Sequence, residues 1–555
     1  MTPQNAIPAA FRWSSDQLAE ADRKRQRRLA LVPNAEPVHH RIRPGTRKAT
    51  AVPTTTVIEK CIERAKKSLL ISDLDKLLGG ASTASLKMIF TGLDMLAEMQ
   101  APHFYLTDVH ALLMSLPKKY QRQLGVITDT GRLVSYIACW RRMNKLERKL
   151  VKTEAFQHLS IDEALTYIGN KLALIHLESQ GVRPEEIFEA ALDSSSLETW
   201  AKVRIDESLP KDDKRWTKDE EAGPNHWPAK NGRHSETRMG FDWQALVQVS
   251  GNGIDGRPRP GVIFGFQFSY PNKGGCEYLR LLDRAAAVGI RLKGVRADLG
   301  VANLVNDYEG GNFQVGLAER GIRLVHKLTE TQKKPAPAFR GAPWVRSNLC
   351  CPCSWHAQNQ LPPIDSNLSS EEKAGLIARY DAAAAHFFAV RQRAGVRGGG
   401  VRLECPARRG TVRCPLVNRS MTLPSDKFDT IQPPTNMRTQ KQIAEVAAVD
   451  PEAAASLIPA PDCCEQETMT LPATVEPGRH QWPPYGTTEH VQQYGQRNLV
   501  EGAYGDLKTN IGSLRRGSYR YFGKGIPALF TAFMVIAVNQ RLIDSFDYRH
   551  GIDEG

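Results

Sequence analysis

The change of hydrophobic period between residues 185 and 330 constrains the fold most. "EEIFEAALDSSSLE" reads as a strand with Asp193 at its polar end, and "GFDWQALVQVSGNG" and "GVIFGFQFSYP" read as two more. Gly251, Asn252, Gly253 and Gly256 break the last two apart, as a hairpin requires. The period then lengthens. "CEYLRLLDRAAAVG" is an amphipathic helix with Gly289 at its C-cap, and "IRLKGVRADLG" is a strand ending in Asp298. "NFQVGLAERG" is a short helix and "IRLVHKL" a strand. Three strands in succession suit antiparallel hairpins, and the later strand–helix alternation suits parallel crossovers. The expectation is an α/β fold built on a mixed sheet.

Flanking segments differ in kind. Residues 1–55 are Arg-rich with few periodic apolar positions and read as a flexible basic arm, with His39 and His40 solvated. Residues 56–150 space their apolar residues at three and four and read as a helical domain, either a generic bundle or a DNA-binding one. Thr107 is a candidate N-cap within it. Residues 331–485 are rich in Pro and hold seven of the ten Cys. The run Ile526–Val538, interrupted by Pro527, is too short to span a bilayer and reads as a buried core helix, with no membrane partner implied. With no secretory signal visible, so many Cys point to a reducing cytoplasm.

Lys and Arg number 74 against 60 Asp and Glu, a net charge of +14 over 555 residues. Such a balance favours an acidic partner, nucleic acid before anionic membrane. Three acids stand out by position. Asp193 and Asp298 sit on or at the end of strands, and Glu501 lies on a late helix. Carboxylates from two strands and a helix could hold two Mg²⁺ or Mn²⁺ ions for in-line phosphoryl transfer. Around Glu501, residues Tyr494, Arg497 and Lys508 fall on one stripe of a regular helix. Just beyond, Arg515, Arg516, Tyr519, Arg520 and Tyr521 interleave cations with aromatics, a composition suited to phosphates and bases. No Walker-type phosphate loop is present, so ATP-driven chemistry is not suggested.

Tyr-x2-Arg-x3-Glu-x6-Lys, present as Tyr494, Arg497, Glu501 and Lys508, resembles the signature of one large branch of bacterial insertion-sequence transposases with a DDE triad. "EAALDSSSLETWA" and "LKGVRADLG" resemble that family's strands for the first and second Asp. The resemblance covers about residues 185–330 and 486–540. It implies a ribonuclease H-like core in two parts, 151–330 and 486–545, preceded by the helical domain, interrupted by the long insertion and followed by a tail over 546–555. It implies Asp193, Asp298 and Glu501 as the metal-binding triad. Tyr494, Arg497 and Lys508 would contact DNA phosphates, and Arg515, Arg516 and Arg520 would extend that contact. The partners would be double-stranded DNA, as terminal inverted repeats and as target, and a second copy in a homodimeric synaptic complex in the bacterial cytoplasm. Family members often follow the second Asp with an aromatic, whereas here Leu299-Gly300-Val301 follows Asp298. Asp307, before Tyr308, is therefore a rival, and Asp298 is preferred because a strand leads into it.

Within the insertion, Cys350 and Cys353 form a C-x2-C pair with His356 nearby, Cys405 and Cys414 follow, and Cys463-Cys464 complete the set. Four thiolates from these could hold one structural Zn²⁺; otherwise they are buried thiols of a loop-rich subdomain. Trp344 and Trp355 read as packing residues.

Overall fold

The computed structural model describes residues 15–32, 52–79, 84–154, 156–199, 219, 222–227, 236–249, 257–271, 274–302, 312–365, 367–392, 400–510, 514, 521 and 523–552. The chain is mixed α/β and divides into two compact units, Met1–Leu292 with Asn498–Gly555, and Lys293–Arg497.

In the first unit, α1 is Ser15–Leu29, and α2 to α7 follow as Thr55–Lys67, Leu69–Leu78, Leu86–Glu98, Leu106–Ser115, Lys118–Leu124 and Tyr136–Leu150. Next come α8 (Ile161–Ser179), the strands β1 (Glu189–Glu198), β2 (Gly223–Trp227), β3 (Glu236–Gln248) and β4 (Ile263–Ser269), and α9 (Gly274–Ala287). A closing helix spans Gly525–Arg549. Helices and sheet share one apolar core running from Ile58 through Trp243 to Val538. α8 starts with a capping box, Ser160 and Glu163 each binding the other's backbone N–H. Gly169 of α8 lets the closing helix approach closely, because a Cβ there would stand 3.2 Å from the Ala528 carbonyl. The closing helix is long and apolar enough to cross a membrane by composition, yet 83% of its apolar window is buried within the fold.

The three expected strands form, all antiparallel, with β3 in the middle. β1 pairs one edge of β3, and β4 and β2 pair the other. β2 has no counterpart in the sequence reading. The other edge of β4 is closed by two side-chain amides. Asn170 of α8 accepts from Phe266 N at 2.8 Å and donates to its carbonyl at 2.8 Å. Asn539 of the closing helix does the same for Ile263, at 2.8 and 2.7 Å. The register shift in β4 between these two residues turns both backbones outward.

Residues 15–32 correct the expectation of a flexible arm. They form α1, because its cations find carboxylates: Arg25 pairs with Glu186, and Arg28, 8% exposed, grips both Asp547 oxygens at 2.8 and 2.6 Å. His39 and His40 lie outside the described residues. The helix near Thr107 starts two residues earlier than expected, at Leu106 with Tyr105 as N-cap and no side-chain cap.

In the second unit, β5 (Gly294–Ala297) and β6 (Arg323–Val325) run parallel, joined through the expected helix Phe313–Glu319. The Cys-rich region is ordered around a three-stranded antiparallel sheet of β7 (Ala389–Gln392), β8 (Val401–Glu404) and β9 (Thr468–Leu471), with β8 central. Trp344 is buried in its core, as expected. Arg479, 3% exposed, ties three turns together. Its guanidinium donates to the carbonyls of Thr331, Gln332, Lys334 and Arg346 and to the Glu476 carboxylate.

Candidate active site

The Glu501 region is not one regular helix. A helix over Thr488–Gly495 stops, a second spans Asn498–Gly505, and residues Asp506–Asn510 wind as a π-helix. Gly495, Gly502 and Gly505 weaken this stretch as an α-helix, and the wider π-turn shifts Lys508 off the expected stripe.

In the first unit, the Glu501 helix docks on β1. Along β1, Ala190, Ala191 and Leu192 are fully buried, and the strand becomes half-buried at Asp193. Asp193 lies within β1, opposite Ala245, and is not at its end. The Ser194 N–H donates to Asp193 Oδ1 at 2.8 Å, which orients the carboxylate. Tyr504, one turn after Glu501, donates its hydroxyl to the Asp193 carbonyl and packs edge-on against Trp243 at 5.1 Å. Lys508 donates to the Ser195 hydroxyl and, at 3.0 Å, to the Ser196 carbonyl. Burial lowers the Lys508 pKa, and the field of Asp242 opposes the shift. Burial holds the phenols of Tyr504 and Tyr278 protonated, helped by the field of Asp193. Glu501 itself is exposed.

In the second unit, Asp298 follows β5 directly, with its side chain 47% exposed. Arg497 Nη1 stands 3.9 Å from Asp298 Oδ1, a loose pair. The Tyr494 ring takes Arg497 at 5.9 Å and the Lys327 ammonium at 5.5 Å. Lys327 arrives there because β6 runs parallel to β5, so the two strands end side by side. The structure thus gathers Asp298, Arg497 and Tyr494 in one unit, and Asp193, Glu501 and Lys508 in the other. Arg515, Arg516, Arg520 and the rival Asp307 lie outside the described residues. A cavity of about 250 Å³ among the helices, lined by Lys60, Arg64, Asp94 and His176, contains none of these acids.

No protein-family model, curated protein or solved structure matches this chain.

The sequence reading missed Tyr504, Ser195 and Lys327. A spacing of three from Glu501 could have flagged Tyr504, whereas the other two are visible only once the strands are paired.

Behind Tyr494 lies a buried histidine pair. His490 stacks on Tyr494 at 6.4 Å. The Gly486 N–H donates to His490 Nδ1 at 3.4 Å, so the ring proton sits on Nε2, facing the His326 carbonyl and Gln481 Oε1, each at 3.2 Å. A second proton on His490 would meet the Gly486 N–H. Burial is the first cause holding both imidazoles down, to pKa values of about 4. Each pKa is lower folded than unfolded, so this stability is complete above about pH 6.5 and is lost as pH falls toward 4. Between pH 7.5 and 5 the loss is about 2 kcal/mol per imidazole. Urea unfolding should show this fall, and it should flatten in the His326→Gln/His490→Gln double variant. An equal slope in that variant would remove the pair as its source.

Proposed function

We propose that this protein is a DNA transposase with a ribonuclease H-like catalytic core. It binds the terminal inverted repeats of its element, cuts the strand ends and joins the 3′-hydroxyls to target DNA. The acids are Asp193, Asp298 and Glu501. The observation that carries the reading is the docking of the Glu501 helix on β1 through Tyr504 and Lys508. It ties the motif's Glu and Lys to the strand of the first Asp. The antiparallel β1–β3–β4 arrangement followed by the parallel β5–β6 pair is also what such a core needs.

Carboxylate oxygens suit Mg²⁺ or Mn²⁺, and the exposure of Glu501 and the half-exposure of Asp193 and Asp298 leave these side chains accessible to an ion. Among the described residues no three His, Cys, Asp or Glu side chains stand together as a preformed cage; the fit of the donor set rests on its carboxylate chemistry and accessibility. When bound, the ions supply an activated water or 3′-hydroxyl and stabilise the leaving oxygen. The chain's own groups do the rest. Ser194 holds the Asp193 carboxylate, Arg497 offers a bidentate phosphate fork, and Lys508 adds a point charge fixed to β1.

Supercoiled plasmid carrying the element ends, incubated with Mg²⁺ or Mn²⁺, should be nicked at those ends and then joined to target DNA. Specific end binding with no cleavage would instead mark a regulator descended from a transposase. Cleavage with no strand transfer would mark another nuclease of this fold.

A further inference from the structure

Six of the seven insertion cysteines share one small core, at one end of the β7–β8–β9 sheet. Cys351, Cys405, Cys414, Cys463 and Cys464 are all buried there, with Cys353 packed against them. The topology brings their loops together. Glu404 of β8 stands opposite Thr468 of β9 and Ala389 of β7, so all three strands meet at this end. Cys405 follows β8 immediately, and Cys463-Cys464 sit in the turn just before β9. Cys351 donates its N–H to the His386 carbonyl at 3.0 Å, on the segment entering β7. Cys414 closes the loop that Thr411 anchors to the Ala385 carbonyl at 2.7 Å. The turn after Cys405 reverses through Gly410 in the left-handed region, and its Arg408 reaches the Cys464 carbonyl at 3.2 Å.

Cys350 does not belong to this set. Its side chain lies in a separate core with Tyr380, Phe387 and Tyr485, near the Ser354 hydroxyl at 3.7 Å. In this nearly extended segment neighbouring side chains point opposite ways, so the C-x2-C spacing selected the wrong partner for Cys353.

Cys351, Cys405, Cys414 and Cys464 lie close enough that a charge on one acts on the other three, and Cys353 stands beside Cys351 within reach of Cys414 and Cys464. Among the described residues no three of these side chains stand in ligating geometry, so closing a shell requires χ1 rotations within the core. The surroundings are short of acceptors. Arg408 Nε and the indole N–H groups of Trp344 and Trp482 are buried without hydrogen-bond partners, and both indoles pack on the thiol core.

We propose that Cys351, Cys405, Cys414 and Cys464 bind one structural zinc ion as thiolates, with Cys353 and Cys463 beside it as neutral thiols. Four S–H groups release four protons to solvent, four Zn–S bonds form, and the site carries a net charge of 2−. The Arg408 guanidinium offsets part of that charge. Its Nε–H and the two indole N–H groups supply the outer hydrogen bonds that metal-bound sulfur accepts. The ion joins all three strand ends and the Cys414 loop, a link well suited to a small sheet.

The test uses the full chain, purified with reductant, without chelator and without added zinc. Elemental analysis should find about one zinc per chain. Cys405→Ser and Cys464→Ser should lose it, whereas Cys350→Ser and Cys353→Ser should keep it. Arg408→Leu should weaken zinc binding roughly 10–100-fold. If the ligand variants fail to fold, the wild type still decides. Cobalt uptake should give the strong sulfur-to-metal absorption of four thiolates, and chelation should lower the melting temperature until zinc, but not magnesium, restores it. A chain that carries no zinc and takes up no cobalt overturns the proposal. So do disulfides among these cysteines, or zinc lost in Cys350→Ser but kept in Cys405→Ser.

Discussion

Changing Glu501 to Gln should slow strand cleavage at the element ends by on the order of 10³-fold or more, equivalent to about 4 kcal/mol of barrier. The amide keeps the shape of the side chain and removes its charge, so it cannot serve as an anionic ligand for a hard cation. Because Glu501 is exposed and holds no place in the apolar core, the fold should survive. Asp193→Asn should behave the same way, since the contact from Tyr504 goes to the Asp193 backbone carbonyl and is untouched by the change. End binding, followed by gel shift, should be retained in both variants. Tyr504→Phe is the informative companion. It keeps the ring against Trp243 and loses only the hydroxyl bond to the Asp193 carbonyl, leaving Lys508 to hold the helix on β1, so it should lower the cleavage rate while leaving binding intact. If Glu501→Gln and Asp193→Asn cut as fast as wild type, the catalytic reading falls. If binding and cleavage are lost together, the substitution has damaged the fold.

The second large effect is on stability. Arg479→Leu should destabilise the protein by about 3–5 kcal/mol in urea unfolding. The guanidinium uses its planar fork to serve four carbonyls from two turns, while its carboxylate partner Glu476 is 38% exposed. Most of the loss therefore comes from stranding the buried Gln332 carbonyl and the three partly buried ones beside it, and not from breaking an ion pair. Arg479→Lys tests this directly. A single ammonium cannot reach four acceptors in that geometry, so Lys should recover only a minor part of the loss. Full recovery would show that charge alone matters there.

What could be read from residues alone was local. Five of the six strands through β6 followed from alternation and turn residues, with β2 missed, and Asp298, read as the last residue of its strand, lies one residue past the end of β5. What failed was non-local or directional. Arg25 and Arg28 looked solvated because their carboxylates lie 161 and 519 residues away. The Tyr494–Lys508 stripe assumed an unbroken 3.6-residue period, which the break after Gly495 and the π-turn at Asp506–Asn510 interrupt. The C-x2-C spacing favoured Cys350 over Cys351, and only the pairing of Cys350 with Phe387 shows that Cys351 is the one facing the thiol core.

The amide pairs at Asn170 and Asn539 govern how copies of this chain can meet. An open outer strand would invite a second chain to extend the sheet, with no DNA required and no natural stopping point. At Ile263 and Phe266 of β4 that route is shut, because the N–H and carbonyl groups a visiting strand would seek there are already held from within. Copies therefore cannot add a strand at these two positions. A single substitution such as Asn539→Leu would unmask a sticky edge before it disturbed any candidate catalytic residue.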